Sequence, residues 1–271
     1  MSRQVDRAMR VWITRPANDA PVWVNALRDA GHEPRLLPLI EIAPVADVAA
    51  IDLAWSQWSQ WQAVMFVSAP AVRFFFARQP DDVQWGALGT RCWATGPGTR
   101  NALLKAGVPP ALIDSPAEDA GQFDSEALWK QVHAGVIPGQ PGLIVRGSDA
   151  SGLTSDVNHE GVGRDWLAQQ LRAAHVPVHF VVAYQRQAPV WTLAQRMEAT
   201  QAASDGSVWC LSSSQAVAYL KHGLPGQDWT RARCIVTHER IAQVAQALGF
   251  GEVHVARPVL ADVLASLESL A

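Results

Sequence analysis

Cysteine, net charge and long apolar runs are all scarce in this sequence of 271 residues. The three cysteines, Cys92, Cys210 and Cys234, are odd in number and include no CxxC pair. That pattern supports neither a disulfide framework nor a zinc site, and it fits a reducing cytoplasm. The formal net charge is −3, so no overall positive field draws the chain to nucleic acid or to an anionic membrane. Any attraction to an anionic ligand must be local. The polar segment 1–10 carries Arg3, Arg7 and Arg10, and no apolar run long enough for a signal peptide or a membrane span follows it. A cytoplasmic location is expected.

Metal and nucleotide signatures are missing too. The eight histidines include no HExxH, and His175, His179 and His238 read as packed or solvated. Asp149, Asp156, His159 and Glu160 fit no calcium loop, so no metal is expected. Thr95-Gly96-Pro97-Gly98-Thr99 lacks the Lys-Ser/Thr of a phosphate loop and the spacing of a dinucleotide fingerprint. It reads as a tight turn that offers backbone N–H groups to an anion.

What is present describes a folded globule: 49% hydrophobic and 17% charged residues. Among the twelve tryptophans, Trp55, Trp58 and Trp61 recur at helical spacing, the mark of a packed helix face. Short apolar runs predict strands at Arg10–Thr14, Ala63–Val67, Cys92–Thr95, Leu143–Val145, Val178–Val182, Val208–Leu211, Cys234–Thr237 and Val253–Ala256. Helices follow most of them. The first is expected to open at Pro16, to bury Val22, Ala26, Leu27 and Ala30, and to stop at Gly31. This alternation predicts parallel sheets covered by helices. Ser148–Gly163 is polar and glycine-rich and reads as a loop after a strand end, where α/β folds place ligand loops.

The chain also looks duplicated. Val67-Ser68-Ala69-Pro70-Ala71-Val72 resembles Ser212-Ser213-Ser214-Gln215-Ala216-Val217. Cys92-Trp93-Ala94-Thr95, with a helix ending at Gly107, resembles Cys234-Ile235-Val236-Thr237, with a helix ending at Gly249. Val11-Trp12-Ile13-Thr14-Arg15 resembles Leu143-Ile144-Val145-Arg146. Two similar lobes are therefore expected, linked by the proline-punctuated segments 39–44 and 181–187. One lobe would be discontinuous, 1–38 plus 188–271, and the other would be 45–180.

Taken in order, several pieces resemble the uroporphyrinogen-III synthase family along nearly the whole chain. They are Thr14-Arg15-Pro16, Leu37-Pro38-Leu39-Ile40-Glu41-Ile42, Val67–Val72, Thr95–Thr99, Val145-Arg146-Gly147, Gly163-Arg164-Asp165-Trp166-Leu167, Val182-Ala183-Tyr184-Gln185-Arg186, Ser212–Ser214 and Glu239-Arg240-Ile241-Ala242. The sequence departs from the family in the length of Ser148–Gly163 and in Pro70, where a polar residue is usual. The resemblance implies two parallel-sheet, flavodoxin-like α/β lobes joined by a two-stranded linker, with the active site in the cleft between them. It implies a lyase of haem biosynthesis that needs no cofactor or metal. Its substrate would be hydroxymethylbilane, a linear tetrapyrrole with eight carboxylates. Water is lost, the last ring is inverted through a spiro intermediate, and the macrocycle closes. No nucleic acid or membrane partner is implied, and a monomer is expected.

Such a reaction is mainly conformational control, so the absence of an obvious catalytic triad is the expected appearance. Tyr184, one of two tyrosines, is the expected proton donor to the leaving hydroxyl; the competing reading is a half-buried tyrosine bracing a hinge. Thr14, Ser68, Gly96, Thr99, Ser213 and Thr237 stand at strand-end turns near helix starts, where unpaired N–H groups and hydroxyls hold carboxylates. Ordinary N-capping competes with that role for the hydroxyls. Arg15, Arg146 (with Gly147), Arg164 and Arg240 follow the same kind of turn and could pair with carboxylates, or form surface ion pairs. Arg15, Arg146, Gly147 and Arg164 are taken into the substrate-binding set. Two other classes remain: a non-enzymatic two-lobe binding protein for a small anion, and a flavodoxin-like redox protein. Thr14-Arg15-Pro16 makes a poor flavin phosphate loop.

Overall fold

The computed structural model describes residues 8–17, 20–81, 83, 85, 89–117, 124–149 and 162–270, without the side chains of 162–165. Contacts divide the chain into two units. Unit 1 joins Met1–Glu41 to Gln187–Ala271, and unit 2 is Ile42–Arg186.

The sheet of unit 1 has the spatial order β11 (Glu252–Val255), β10 (Arg233–Val236), β9 (Val208–Leu211), β1 (Arg10–Ile13) and β2 (Glu33–Leu36). Each of its four strand pairs is parallel. The inner strands are short apolar runs because both of their faces are covered. Alternation along β1 sends Val11 and Ile13 to one face, where they meet Leu27, Val208, Ile235, Val263 and Leu267. These come in part from helices α1 (Pro21–Asp29) and α10 (Leu260–Leu270). Trp12 goes to the other face and stacks on Trp209 at 5.4 Å.

Unit 2 has the order β3 (Glu41–Pro44), β8 (Val178–Gln187), β7 (Gly142–Asp149), β4 (Ala63–Phe66), β5 (Arg91–Ala94) and β6 (Ile113–Asp114). The pairs from β8 through β6 are parallel. One face carries Val64, Phe66, Leu143 and Val145 against Trp55, Trp58, Trp61 and Phe75. The other carries Met65, Trp93 and Ile144 against Leu128, Leu167 and Leu171. Trp55 and Trp58 stack at 4.6 Å. All three tryptophans are packed as expected, but Trp55 lies at the end of a helix, Trp58 opens a separate 3-10 turn and Trp61 is extended, so they do not form one helix face.

The alternating pattern and both parallel sheets are as the sequence leads one to expect. Three details differ. The first helix opens at Pro21, not Pro16, and Val22 is exposed. Only Leu27 of its expected face is fully buried, because the stripe that meets the core is Ala20, Trp23, Val24 and Leu27. Its end is as expected. Gly31 takes φ +82°, with His32 N–H donating to Leu27 O and Gly31 N–H to Arg28 O. Gly107 (φ +85°) and Gly249 (φ +110°) end the two duplicated helices in the same left-handed conformation. Second, Ser148 and Asp149 are not loop but the end of β7, and Val162 and Gly163 already belong to helix α6 (Val162–Ala173). The rest of that expected loop, 150–161, lies outside the described residues, as do its candidates Asp156, His159 and Glu160. Third, β2 and β6 have no apolar run to announce them; both are edge strands of mostly polar or half-exposed residues.

Candidate active site

In doubly wound sheets ligands bind beyond the carboxyl ends of the strands, where the strand order reverses. In unit 2 that point lies between β4 and β7. Ser68 follows β4 there and caps helix α3 (Ala69–Phe76), accepting from Ala71 N–H at 3.3 Å. β7 and β8 run past the point together, with one irregularity. Arg146 pairs with Val182, but Gly147 pairs with Tyr184, so Ala183 is bulged out of register. A one-residue bulge re-aims everything beyond it. Here it sets Tyr184 beside Gly147 and Arg186 beside Asp149.

Gly147 is glycine for a spatial reason. A Cβ at that position would fall 2.3 Å from Cζ of Tyr184, so the phenol ring occupies the space of the missing side chain. Phe74 stacks on the ring with centroids 6.1 Å apart. Tyr184 is 2% exposed, buried more fully than the half-buried ring of the competing reading. Its hydroxyl lies 3.1 Å from Ser68 Oγ and accepts from Arg186 Nη2 at 3.4 Å. Arg186 Nη1 in turn donates to Asp149 Oδ1 at 3.3 Å. Burial works against the Arg186 charge, but the Tyr184 oxygen and the Asp149 carboxylate outweigh it and hold the guanidinium above its ordinary pKa. The result is a line of four polar groups, Ser68, Tyr184, Arg186 and Asp149, with the phenol in the middle.

The other expected site residues divide. Gly96 is the N-cap of helix α4 (Pro97–Lys105) in extended conformation, and no side chain caps that helix. Thr99 is in its first turn and is 6% exposed. Arg146 lies over the Phe180 ring at 4.6 Å, and Arg164 is in α6 with its side chain outside the described residues. In unit 1 the strand order reverses between β1 and β9. Thr14 is buried there, and its hydroxyl donates to Cys210 O at 2.6 Å. A hydroxyl so engaged is a structural link between β1 and β9. Arg15 lies over the Trp23 ring at 4.2 Å. Ser213 is the N-cap of helix α8 (Ser214–Gly223) yet makes no side-chain cap bond. Thr237 stands one residue too early to cap: His238 Nδ1 accepts from Arg240 N–H at the start of helix α9 (Glu239–Leu248). Arg240 is exposed.

The thiols take no part. Burial pushes Cys92 and Cys210 up to about 12, and raises Cys234 as well, so none is a nucleophile near neutrality. Among the described residues no group of histidine, cysteine, aspartate and glutamate could hold a metal ion. Two functional candidates, Asp149 and Arg186, are missing from the sequence-based site set. Their signal is the matched spacing Gly147-x-Asp149 and Tyr184-x-Arg186, legible only once β7 and β8 are paired.

Two parallel α/β units, one of them built from both ends of the chain, define a two-unit doubly wound protein with its polar cluster at a topological switch point. The model of the family described as uroporphyrinogen-III synthase HemD matches residues 21–264, and this chain belongs to that family. The uroporphyrinogen-III synthase of Salmonella typhimurium is 27% identical over 259 residues, 92% of this chain and 95% of that one. The enzyme of the same name from Chlorobaculum parvum is 32% identical over 151 residues, 54% of this chain; that match spans just 56% of the relative. The uroporphyrinogen-III synthetase structure from Helicobacter pylori matches with TM-score 0.57 and 14% identity, over 97% of this chain and 100% of that one. A mutant uroporphyrinogen III synthase from Thermus thermophilus matches with TM-score 0.51 and 14% identity, over 97% and 98%. At such identities these likenesses concern the fold, and they agree with the two parallel units seen here.

Proposed function

We propose that this chain converts hydroxymethylbilane to uroporphyrinogen III with loss of water, a cyclising lyase of tetrapyrrole biosynthesis. Family membership supports the substrate, and one geometric observation carries the chemistry: a phenol fixed between Ser68 and Arg186 at the switch point of unit 2. In this reading Tyr184 gives its proton to the substrate's hydroxyl as the C–O bond breaks and water leaves. The azafulvene cation left behind is attacked by the substituted carbon of the terminal ring. A spiro intermediate forms, fragments and recloses with that ring inverted, and the proton lost at the end returns to the phenolate. The hydroxyl is buried, so substrate binding must open a path to it.

Backbone N–H groups at Gly96 and the turns at Ser213 and Thr237, with Arg15 and Arg146, are the proposed carboxylate contacts. No step of this reaction calls for a cofactor. The free cysteines favour a reducing cytoplasm, and the enzyme is proposed to act as a monomer. The test supplies hydroxymethylbilane, oxidises the products and separates isomers by chromatography. Predominantly type III product is expected. Type I alone, as in the enzyme-free control, would replace the reading with a two-lobe binding protein for a small anion.

A further inference from the structure

We propose that Arg186, anchored by Asp149, is a positioning residue that turns the Tyr184 proton outward for transfer. The argument is an accounting of donors and acceptors. A guanidinium has donors only, so in its 3.4 Å contact the Tyr184 oxygen must accept. Ser68 Oγ already accepts from Ala71 N–H at 3.3 Å, and its single hydrogen has no other acceptor among the described residues. Either hydroxyl can donate across the 3.1 Å contact; in the arrangement with Ser68 donating, both acceptor positions of the phenol oxygen are filled. The phenol proton then has no protein acceptor among the described residues. A hydroxyl held this way is a ready donor to an incoming oxygen, and the same two contacts stabilise the phenolate when the proton has gone.

The placement is built into the strands. Side chains two apart on a strand share a face, and paired residues on neighbouring parallel strands lie side by side. Gly147 and Asp149 on β7 therefore face Tyr184 and Arg186 on β8. Glycine leaves room for the ring, and aspartate holds the guanidinium from its far side at 3.3 Å. Arg186 has a side chain only 22% exposed and Asp149 one of 19%, so water screens their pairing little. Without Asp149 the guanidinium would lose one of the contacts that hold it on the phenol.

This role rests on the synthase reading, and the experiment separates the two. Turnover to type III product is measured for wild type, Arg186→Gln, Arg186→Lys, Tyr184→Phe and the double variant Tyr184→Phe/Arg186→Gln. In the wild-type background Arg186→Gln should lower kcat about tenfold with KM changed less than about twofold, as for an interaction made chiefly in the transition state. Arg186→Lys keeps a cationic donor and should recover part of the loss, which guards against misfolding as the cause. In the Tyr184→Phe background Arg186→Gln should cost less than about twofold, since residues acting as a unit are not additive. Equal losses in both backgrounds would make Arg186 a structural tie between β7 and β8 and overturn the proposal. So would an unchanged kcat in Arg186→Gln. If wild type forms no type III product, the synthase reading fails and this role falls with it; if it does, additive losses remove only the role of Arg186.

Discussion

Five of the six strands of unit 2 repeat the spatial order of the five strands of unit 1 but in a different chain order, and β3 is added at the edge of unit 2. Unit 1 reads β2, β1, β9, β10, β11 across its sheet, and unit 2 reads β8, β7, β4, β5, β6. The duplicated sequence pieces fall on matching strands: β1 on β7, β9 on β4, β10 on β5. With the edge strand β3 set aside, the five shared strands of unit 1 begin on one side of the switch point and those of unit 2 on the other, so their chain orders are related by circular permutation. Their switch points are nevertheless chemically unlike. In unit 1 the Thr14 hydroxyl is used up on a carbonyl of the neighbouring strand. In unit 2 Ser68 reaches a tyrosine. The cause is length. β1 and β2 have four residues each, whereas β7 has eight and β8 ten. The extra residues carry Gly147, Asp149, Tyr184 and Arg186 past the end of β4. The polar cluster comes from extending one strand pair of a repeated scaffold, not from the scaffold itself.

If that difference matters, breaking it in unit 2 should cost the most. Tyr184→Phe is expected to lower type III turnover about 100-fold, the lower range for a general acid. The fold should survive, since a phenylalanine ring fills the same space. Steady-state assay and thermal melting check both halves; unchanged turnover would leave Tyr184 as packing. Gly147→Ala attacks the same site from the other strand. Its Cβ would sit 2.3 Å from the Tyr184 ring, so the ring must leave. Overpacking of this kind costs about 1–3 kcal/mol, and turnover should fall at least about tenfold. A fully active, fully stable Gly147→Ala would show that the ring's position is unimportant.

These two residues also mark how far the sequence can be read. Tyr184 and Gly147 are legible because the family resemblance marks both and one is rare in this chain. Their contact is not, because a bulge at Ala183 decides it and a bulge leaves no mark in an apolar pattern. Asp149 falls inside a polar stretch that looks like loop, and only its pairing with Arg186 makes it strand. The buried strands and the glycine-ended helices are legible for the opposite reason. A run such as Val11-Trp12-Ile13, or a left-handed Gly107, answers to burial and backbone conformation, which are local demands. The hydroxyls at strand ends are ambiguous. Sequence places Thr14, Ser68, Ser213 and Thr237 alike, and the structure separates them by what each hydroxyl touches.

Thr14 offers the middle-sized test of the contrast. Replacing it by valine removes a buried bond to Cys210 O and should cost about 1–2 kcal/mol. Turnover at room temperature should stay within about twofold of wild type, because the hydroxyl is committed to the fold. Denaturant melts and the isomer assay together decide. Stability unchanged with turnover lost would mean that Thr14 meets substrate after all, and the units would then be more alike than their hydrogen bonds indicate.

The smallest expected effect compares the two repeated serines directly. Ser68 caps α3 through its hydroxyl, so Ser68→Ala should destabilise by about 1 kcal/mol, as for an ordinary N-cap. Ser213 holds the same position on α8 without a cap bond. Ser213→Ala should therefore cost less than about 0.5 kcal/mol, the range of a surface change that touches nothing. A hydroxyl kept at an N-cap but not used for capping is available to a carboxylate arriving at that helix end, where the free N–H groups already favour an anion. If Ser213 serves that purpose, Ser213→Ala raises KM about threefold, the loss of one modest hydrogen bond, and leaves kcat in place. If KM does not move and stability falls by a full cap's worth, the hydroxyl caps in solution, and the unlike use of the two serines disappears as a difference between the units.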